Sequence, residues 1–342
     1  MDVAAAYTFA WRNATKIPEP VLRAVFTAVA DVTWLRRGKS VRRMESNYAR
    51  VRPDLDAAAV RRLSRVGMRS YMRYFREAFT LQGVTSEKLR ARVRLEGYDE
   101  HVRPVIADGG AVSLALGHLG NWDLAGAYAS QNLAGVLTVA ERLKPDELFE
   151  EFVRFRGSLG IDVLALGNGD VLGALVRGAK QGGRLIPLLS DRDLTSTGIE
   201  VDLAGHRARV AAGPALLGLE AGVPVHAVGI TYERLRGDRR RAAGTPWGIV
   251  IHFYPPLPVP DVGLPRAEQA RILTQGWVDQ LTGTIVEHTH DWHMLQRVFV
   301  ADLGPARQRA AGRAAQRSVP PPDLTPAPDE SVPDPAPARD NG

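Results

Sequence analysis

The chain has 342 residues, 44 Lys+Arg against 38 Asp+Glu, 45% hydrophobic content and no cysteine. That length buries a large core, and the missing cysteine excludes a disulfide scaffold, a thiolate nucleophile and Cys-ligated zinc or iron–sulfur. The net charge of +6 suits nucleic acid or an anionic membrane surface, and the total does not choose between them.

Position is more informative than the total. Residues 1–105 hold 21 basic and 11 acidic residues, an excess of +10, whereas the remainder is −4. Pro18 and Pro20 open a helical pattern in which Val21, Leu22, Val25, Phe26, Val29 and Val32 recur at three- and four-residue steps. Trp34 and Leu35 close it, and Arg36, Arg37, Lys39, Arg42 and Arg43 follow. Arg23 and Asp31 interrupt the apolar run, so it is too short to span a bilayer, and no signal-peptide pattern is present. Two readings fit: a helix lying in a membrane interface, or a core helix with a solvated basic end. Val60 to Phe79 is a second basic segment, with Arg61, Arg62, Arg65, Arg69, Arg73 and Arg76 among aromatic and aliphatic residues. That mixture can signal nucleic-acid stacking, but the helical spacing favours a core face with arginines outside.

From Ala111 the pattern changes. Short apolar runs at Ala111–Leu116, Val136–Ala140, Ile161–Leu166, Leu185–Leu189, Val223–Ile230 and Gly248–Phe253 alternate with helical stretches at Pro145–Arg156, Asp170–Lys180 and Gly213–Ala221. This predicts an α/β fold with a mostly parallel central sheet flanked by helices. Glu200–Val210 reads as an antiparallel excursion around Ala204-Gly205, and Pro265 to about His288 as another helix. Ser318–Gly342 holds eight prolines and five acidic residues and predicts a disordered tail. The expected organisation is a basic helical region over 1–105, an α/β core over 106–310 and the tail over 318–342.

The chemistry points to Ala115-Leu116-Gly117-His118-Leu119-Gly120-Asn121-Trp122-Asp123. His118 follows a strand, at the carboxyl edge where open α/β sheets bind ligands. Asp123 lies five residues on, across a glycine-containing turn, close enough to fold back onto the imidazole and fix its tautomer. A histidine so held is a general base for a hydroxyl. The spacing alone is a weak signal, and a hydrogen-bonded structural histidine fits it too. No Gly-x-Ser-x-Gly elbow is present, which weakens a serine esterase reading. His288-Thr289-His290-Asp291-Trp292-His293 is dense in potential metal ligands, but we expect no metal there. Gly167-Asn168-Gly169 lacks the third glycine of a dinucleotide loop because position 172 is Leu172.

Residues 117–126, Gly-His-Leu-Gly-Asn-Trp-Asp-Leu-Ala-Gly, resemble the signature block of the lipid A late acyltransferase and phosphatidylinositol mannoside acyltransferase group, within the wider His-x4-Asp/Glu acyltransferases. Further stretches follow in the order of the mannoside branch: Val139 to Pro145, Phe152 to Gly160, Asp191 to Thr195, Gly198 to Asp202, Gly213-Pro214-Ala215 and Asp291 to Gln296. The resemblance covers roughly residues 5–310. It implies that His118 deprotonates an acceptor hydroxyl for attack on an acyl thioester, with Asp123 or Asp191 as its carboxylate partner. Asp191 stands where that branch often has Glu. Asn121, Trp122, Glu141, Arg142, Arg156 and Arg192 are the implied substrate-binding residues; for an arginine the plain alternative is an ion pair, for Arg156 with Glu150 or Glu151.

The resemblance further implies acyl-CoA as co-substrate with no other cofactor, a phosphoinositol mannoside acceptor, an anionic membrane surface rather than nucleic acid as partner, and a peripheral location at the cytoplasmic face of the plasma membrane. Another glycolipid or a lysophospholipid as acceptor, or lipid binding without catalysis, are the competing expectations.

Overall fold

The computed structural model describes residues 13–141, 146–166, 170–193 and 198–303. Its helices are α1 Glu19–Arg36, α2 Lys39–Val51, α3 Ala57–Thr80, α4 Ser86–Arg92, α5 Tyr98–His101, α6 Arg103–Ala107, α7 Trp122–Asn132, α8 Asp146–Ser158, α9 Val171–Lys180, α10 Gly213–Ala221, α11 Gly237–Ala243 and α12 Arg266–Glu287. The strands are β1 Val93–Glu96, β2 Ala111–Leu116, β3 Gly135–Ala140, β4 Ile161–Ala165, β5 Arg184–Leu189, β6 Ile199–Leu203, β7 His206–Val210, β8 Val225–Arg234 and β9 Trp247–Phe253.

Seven strands form one sheet in the order β1-β9-β8-β2-β5-β3-β4, with β6 and β7 a separate hairpin. Every neighbouring pair in the large sheet is parallel except β8 with β9. The expected α/β class and mostly parallel sheet are therefore present. β1, which the sequence pattern does not mark, pairs with β9 at the sheet edge, so the basic N-terminal third contributes a strand to the α/β body. The 318–342 stretch lies outside the described residues.

The strand runs are apolar because both sheet faces are covered. On β2, Val112, Leu114 and Leu116 face a cluster with Leu124 of α7 and Phe155 of α8, while Ala115 faces α12 through Leu273, Trp277, Leu281 and Ile285. That alternation is the two-residue period of a strand. Each large apolar side chain buried this way contributes about 1.5–3 kcal/mol. The β6–β7 hairpin turns at Ala204 and Gly205, whose φ values of 52° and 78° are those of a two-residue hairpin turn with both central residues left-handed.

The N-terminal helices pack on this body as follows. α1 lies along α3, placing Leu22, Phe26 and Ala30 inward. Trp34 turns inward: its indole donates to Ser64 Oγ (3.0 Å) on α3, and the Arg61 guanidinium sits 3.7 Å from the ring centre. Arg65 and Arg69 both pair with Asp31, Arg61 with Glu45, and Arg76 with Glu19. Much of the second basic segment is thus neutralised within the helical layer.

Candidate active site

β2 and β5 are parallel neighbours with Leu116 in register with Leu189. The chain leaves β2 toward β3 on one side and leaves β5 toward β8 on the other. The two connections therefore leave in opposite directions, each passing the other strand, and the carboxyl ends of such strands are where open α/β sheets bind ligands. His118 lies two residues past the end of β2 and Asp191 two past the end of β5. The register brings together two residues 73 apart in sequence.

The contact is direct. Asp191 Oδ1 lies 2.5 Å from His118 Nδ1, and Oδ2 accepts the His118 backbone N–H (2.9 Å) and the Trp292 indole N–H (2.8 Å). Asp191 is 2% exposed, and His118 keeps 16% of its side chain in contact with solvent. Burial raises the Asp191 carboxyl, but the charge and hydrogen bond of the His118 imidazole and these two N–H donors outweigh that, holding the group below the usual carboxylate range. An ionised Asp191 takes the proton of Nδ1 as a hydrogen bond, leaving the Nε2 lone pair of His118 free. The Trp122 ring meets His118 edge-on at 5.5 Å.

Asp123 is elsewhere. It sits in the first turn of α7, 1% exposed, accepting Arg156 Nε–H on Oδ1 (2.8 Å) and the Tyr74 hydroxyl on Oδ2 (2.7 Å). Of the two carboxylates left open by the sequence, Asp191 is the one hydrogen-bonded to His118. Arg156 spends its charge on Asp123 rather than on Glu150 or Glu151, with Phe152 against its guanidinium. Asn121 caps α7 by accepting Leu124 N–H (2.9 Å), and its amide donates to the buried Glu77 (2.8 Å), which also pairs with Arg92. Gly120, at φ 57°, is required because a Cβ would lie 2.5 Å from the Ile230 carbonyl oxygen. The signature turn is therefore clamped between α3 and β8.

Glu141 and Arg192 meet at 3.7 Å, with Glu141 half exposed and Arg192 near the Tyr71 phenol. Arg142 lies outside the described residues, as does the Gly167-Asn168-Gly169 loop. Among the described residues, no group of three or more His, Asp or Glu is gathered as a metal site.

Sequence reasoning did not single out Trp292 or Ser70, nor give Asp291 and His293 a role in the site. Leu119 and Trp292 form an antiparallel bridge, in which His293 N–H donates to the His118 carbonyl (2.8 Å) and Gly120 N–H to the Asp291 carbonyl (2.9 Å). Tyr48 of α2 donates to the Trp292 carbonyl (2.9 Å), passing α3 at Gly67, where a side chain would block it. The available signal was the Asp291–Gln296 stretch, which the sequence matched to the family resemblance with no metal expected and no role given to its residues.

A partly exposed histidine hydrogen-bonded to a buried aspartate thus stands at the carboxyl edge of the parallel sheet, a geometry suited to general-base chemistry. The sequence profile of the family described as bacterial lipid A biosynthesis acyltransferase matches residues 3–300, and the chain belongs to that family of acyltransferases. It is similar to two proteins named phosphatidylinositol mannoside acyltransferase. One is from Mycolicibacterium smegmatis, 34% identical over 90% of this chain and 94% of that protein; the other is from Mycobacterium tuberculosis, 34% identical over 89% and 90%. A solved 1-acyl-sn-glycerophosphate acyltransferase from Thermotoga maritima is 16% identical, covering 65% of this chain and 86% of its own, with a TM-score of 0.33. A likeness that slight carries no argument.

Proposed function

We propose that this protein transfers a long-chain acyl group from acyl-CoA to a mannose hydroxyl of a phosphatidylinositol mannoside, working at the cytoplasmic face of the plasma membrane. The observation that carries the reading is the His118–Asp191 hydrogen bond at the sheet edge, in a chain so similar to proteins of that name. His118 Nε2 takes the proton of the acceptor hydroxyl as its oxygen attacks the thioester carbonyl carbon. The tetrahedral intermediate then collapses, the C–S bond breaks, and the imidazolium returns the proton to the departing thiolate. Asp191 orients the ring and stabilises the transient imidazolium. Arg192 and Glu141 are the polar groups available to the headgroups. In a transfer assay with purified protein, palmitoyl-CoA and the mannolipid, free CoA is expected to appear in step with acylated mannolipid. Absence of transfer to the mannolipid, with transfer to a lysophospholipid instead, would reassign the acceptor.

Peripheral membrane binding is supported by α1. Its outer face exposes Val21, Val25, Val29, Val32 and Leu35, each 45–67% accessible, in one stripe at three- and four-residue steps. The stripe runs into Arg36, Lys39, Arg42 and Arg43, which make no ion pair among the described residues. An apolar stripe ending in free cations fits an anionic lipid surface. No helix among the described residues is long and apolar enough to cross a membrane. At about 1 kcal/mol per basic residue near such a surface, reversing Arg42 and Arg43 to Glu is expected to weaken binding to phosphatidylinositol-containing vesicles by well over tenfold. Val25→Glu with Val29→Glu should weaken it as well. Sedimentation with anionic and neutral vesicles measures both, and unchanged binding would remove α1 from the contact.

A further inference from the structure

His293 is a second imidazole beside His118. The Leu119–Trp292 bridge sets the two histidines opposite each other, joined by the bond from His293 N–H to the His118 carbonyl. Both rings lie against Trp122, at 5.5 Å for His118 and 6.1 Å for His293. Their hydrogen bonds differ in a way that sets opposite tautomers. Asp291 Oδ1 accepts the Ser70 hydroxyl (2.7 Å) and its Oδ2 the Tyr232 N–H (2.8 Å). With its proton directed at Asp291, Ser70 Oγ is left to accept from His293 Nε2–H, 3.1 Å away. The remaining nitrogen, Nδ1, is then an acceptor. It is buried and has no hydrogen-bond partner among the described residues.

The charged and titratable groups facing His293 are Arg73 and Tyr71 and Tyr74 of α3, His118, His290, and Asp291 through Ser70. Burial first, then Arg73, His118 and His290, hold the imidazole well below its usual range, so it stays uncharged. A buried acceptor without a donor is destabilising, and its persistence in a fold that satisfies the same ring's other nitrogen calls for a use. The rings against it include Tyr71 and Trp122, which are only partly buried, and Trp122 also meets the His118 ring.

We propose that His293 is a positioning residue for the acyl acceptor, its Nδ1 taking a hydrogen bond from a hydroxyl adjacent to the one that His118 deprotonates, with Tyr71 and Trp122 giving way as the polyol enters. This rests on the acyltransferase reading above. The acceptor class that fits is a polyol with neighbouring hydroxyls, such as a sugar ring: one hydroxyl meets the base and the next meets the fixed acceptor. His118 and His293 then divide the work, the first moving a proton and the second holding the ring that carries it.

The test separates the two imidazole nitrogens. In His293→Gln the side-chain amide replaces Nε2 and keeps the Ser70 contact, but loses the acceptor at Nδ1. In His293→Asn the amide oxygen stands near Nδ1 and the Ser70 contact is lost. With palmitoyl-CoA and a phosphatidylinositol mannoside, His293→Gln is expected to raise the acceptor KM about tenfold. Its acceptor-independent hydrolysis of palmitoyl-CoA should stay near wild type, and His293→Asn should recover most of the loss. Equal acceptor KM values for wild type and His293→Gln would overturn the proposal, as would a Gln variant that outperforms Asn. If the variants do not fold, 15N NMR of the wild-type imidazole decides. Adding the mannolipid should move the Nδ1 resonance to lower shift, and an unmoved resonance sinks the idea. Wild-type protein that transfers nothing to the mannolipid defeats the underlying acyltransferase assignment instead, a separate failure.

Discussion

His118→Ala is expected to lower kcat for acyl transfer by about 10²–10⁴, the range a positioned general base contributes. Asp191→Asn should fall in the same range, because an amide can donate to Nδ1 and turn the imidazole to the wrong tautomer; the same change in a serine-protease triad costs about 10⁴. The reason lies in the geometry around Asp191. Its two oxygens are occupied by His118 Nδ1, His118 N–H and the Trp292 indole, so the carboxylate has little freedom to turn away from the ring. The depressed Asp191 carboxyl also makes a sign prediction for stability. Its contribution is fully present above the ordinary carboxylate pKa and is lost as pH falls through the lower folded-state value. Acid denaturation of Asp191→Asn should therefore depend less steeply on pH than that of wild type. Steady-state kinetics with both variants, checked by circular dichroism for folding, tests the pair. Wild-type kcat in either variant would remove it from the chemistry.

Asp123→Asn is expected to act on stability more than on chemistry. Asp123 and Arg156 are buried together, and removing one charge of a buried pair leaves the other uncompensated at a cost of about 3–5 kcal/mol. The Tyr74 phenol, held in its neutral form by burial and the adjacent Asp123 charge, would also lose a charged acceptor. For a chain this long, that loss corresponds to a Tm lower by roughly 5–15 °C. Asp123→Leu combined with Arg156→Met should cost less than either single change, since no orphan charge remains. Calorimetry on Asp123→Asn, the two single changes and the double variant tests this, alongside kcat normalised to folded protein. A loss of kcat as large as that of Asp191→Asn, with an unmoved Tm, would show that Asp123 takes part in the reaction itself.

Much of the sheet was legible because parallel strands buried on both faces must be apolar throughout. Ala111–Leu116 stands where its run predicts, and Gly213–Ala221 and the hairpin around Ala204-Gly205 fall within a residue of expectation. β1 was not legible: Val93-Arg94-Leu95-Glu96 is four residues at a sheet edge with alternating charges, too short and polar for a periodic signal. The N-terminal helix was half legible. Its spacing marks a helix, but one apolar set contains both Leu22 and Phe26, which pack on α3, and Val21 and Val25, which face outward. Which valines are covered depends on where α3 lies.

The opening excess of charge divides along the same line. The sequence by itself placed +10 in the first 105 residues, excluded a cysteine nucleophile and set His118 after a strand, since composition and local periodicity are properties of the chain alone. Only the tertiary structure decided which of those charges are spent. Asp31, Glu45 and Glu19 neutralise arginines of α3, while Arg36, Lys39, Arg42 and Arg43, at the end of an exposed apolar stripe, make no ion pair among the described residues. It also chose the partner of the histidine. Asp123 is five residues from His118 but begins a helix that turns its carboxylate to Arg156. Asp191 is 73 residues away, yet the register of β2 with β5 brings it to 2.5 Å. Sheet register fixes distances that sequence separation cannot, because neighbours across a parallel sheet are set by strand order and not by chain order.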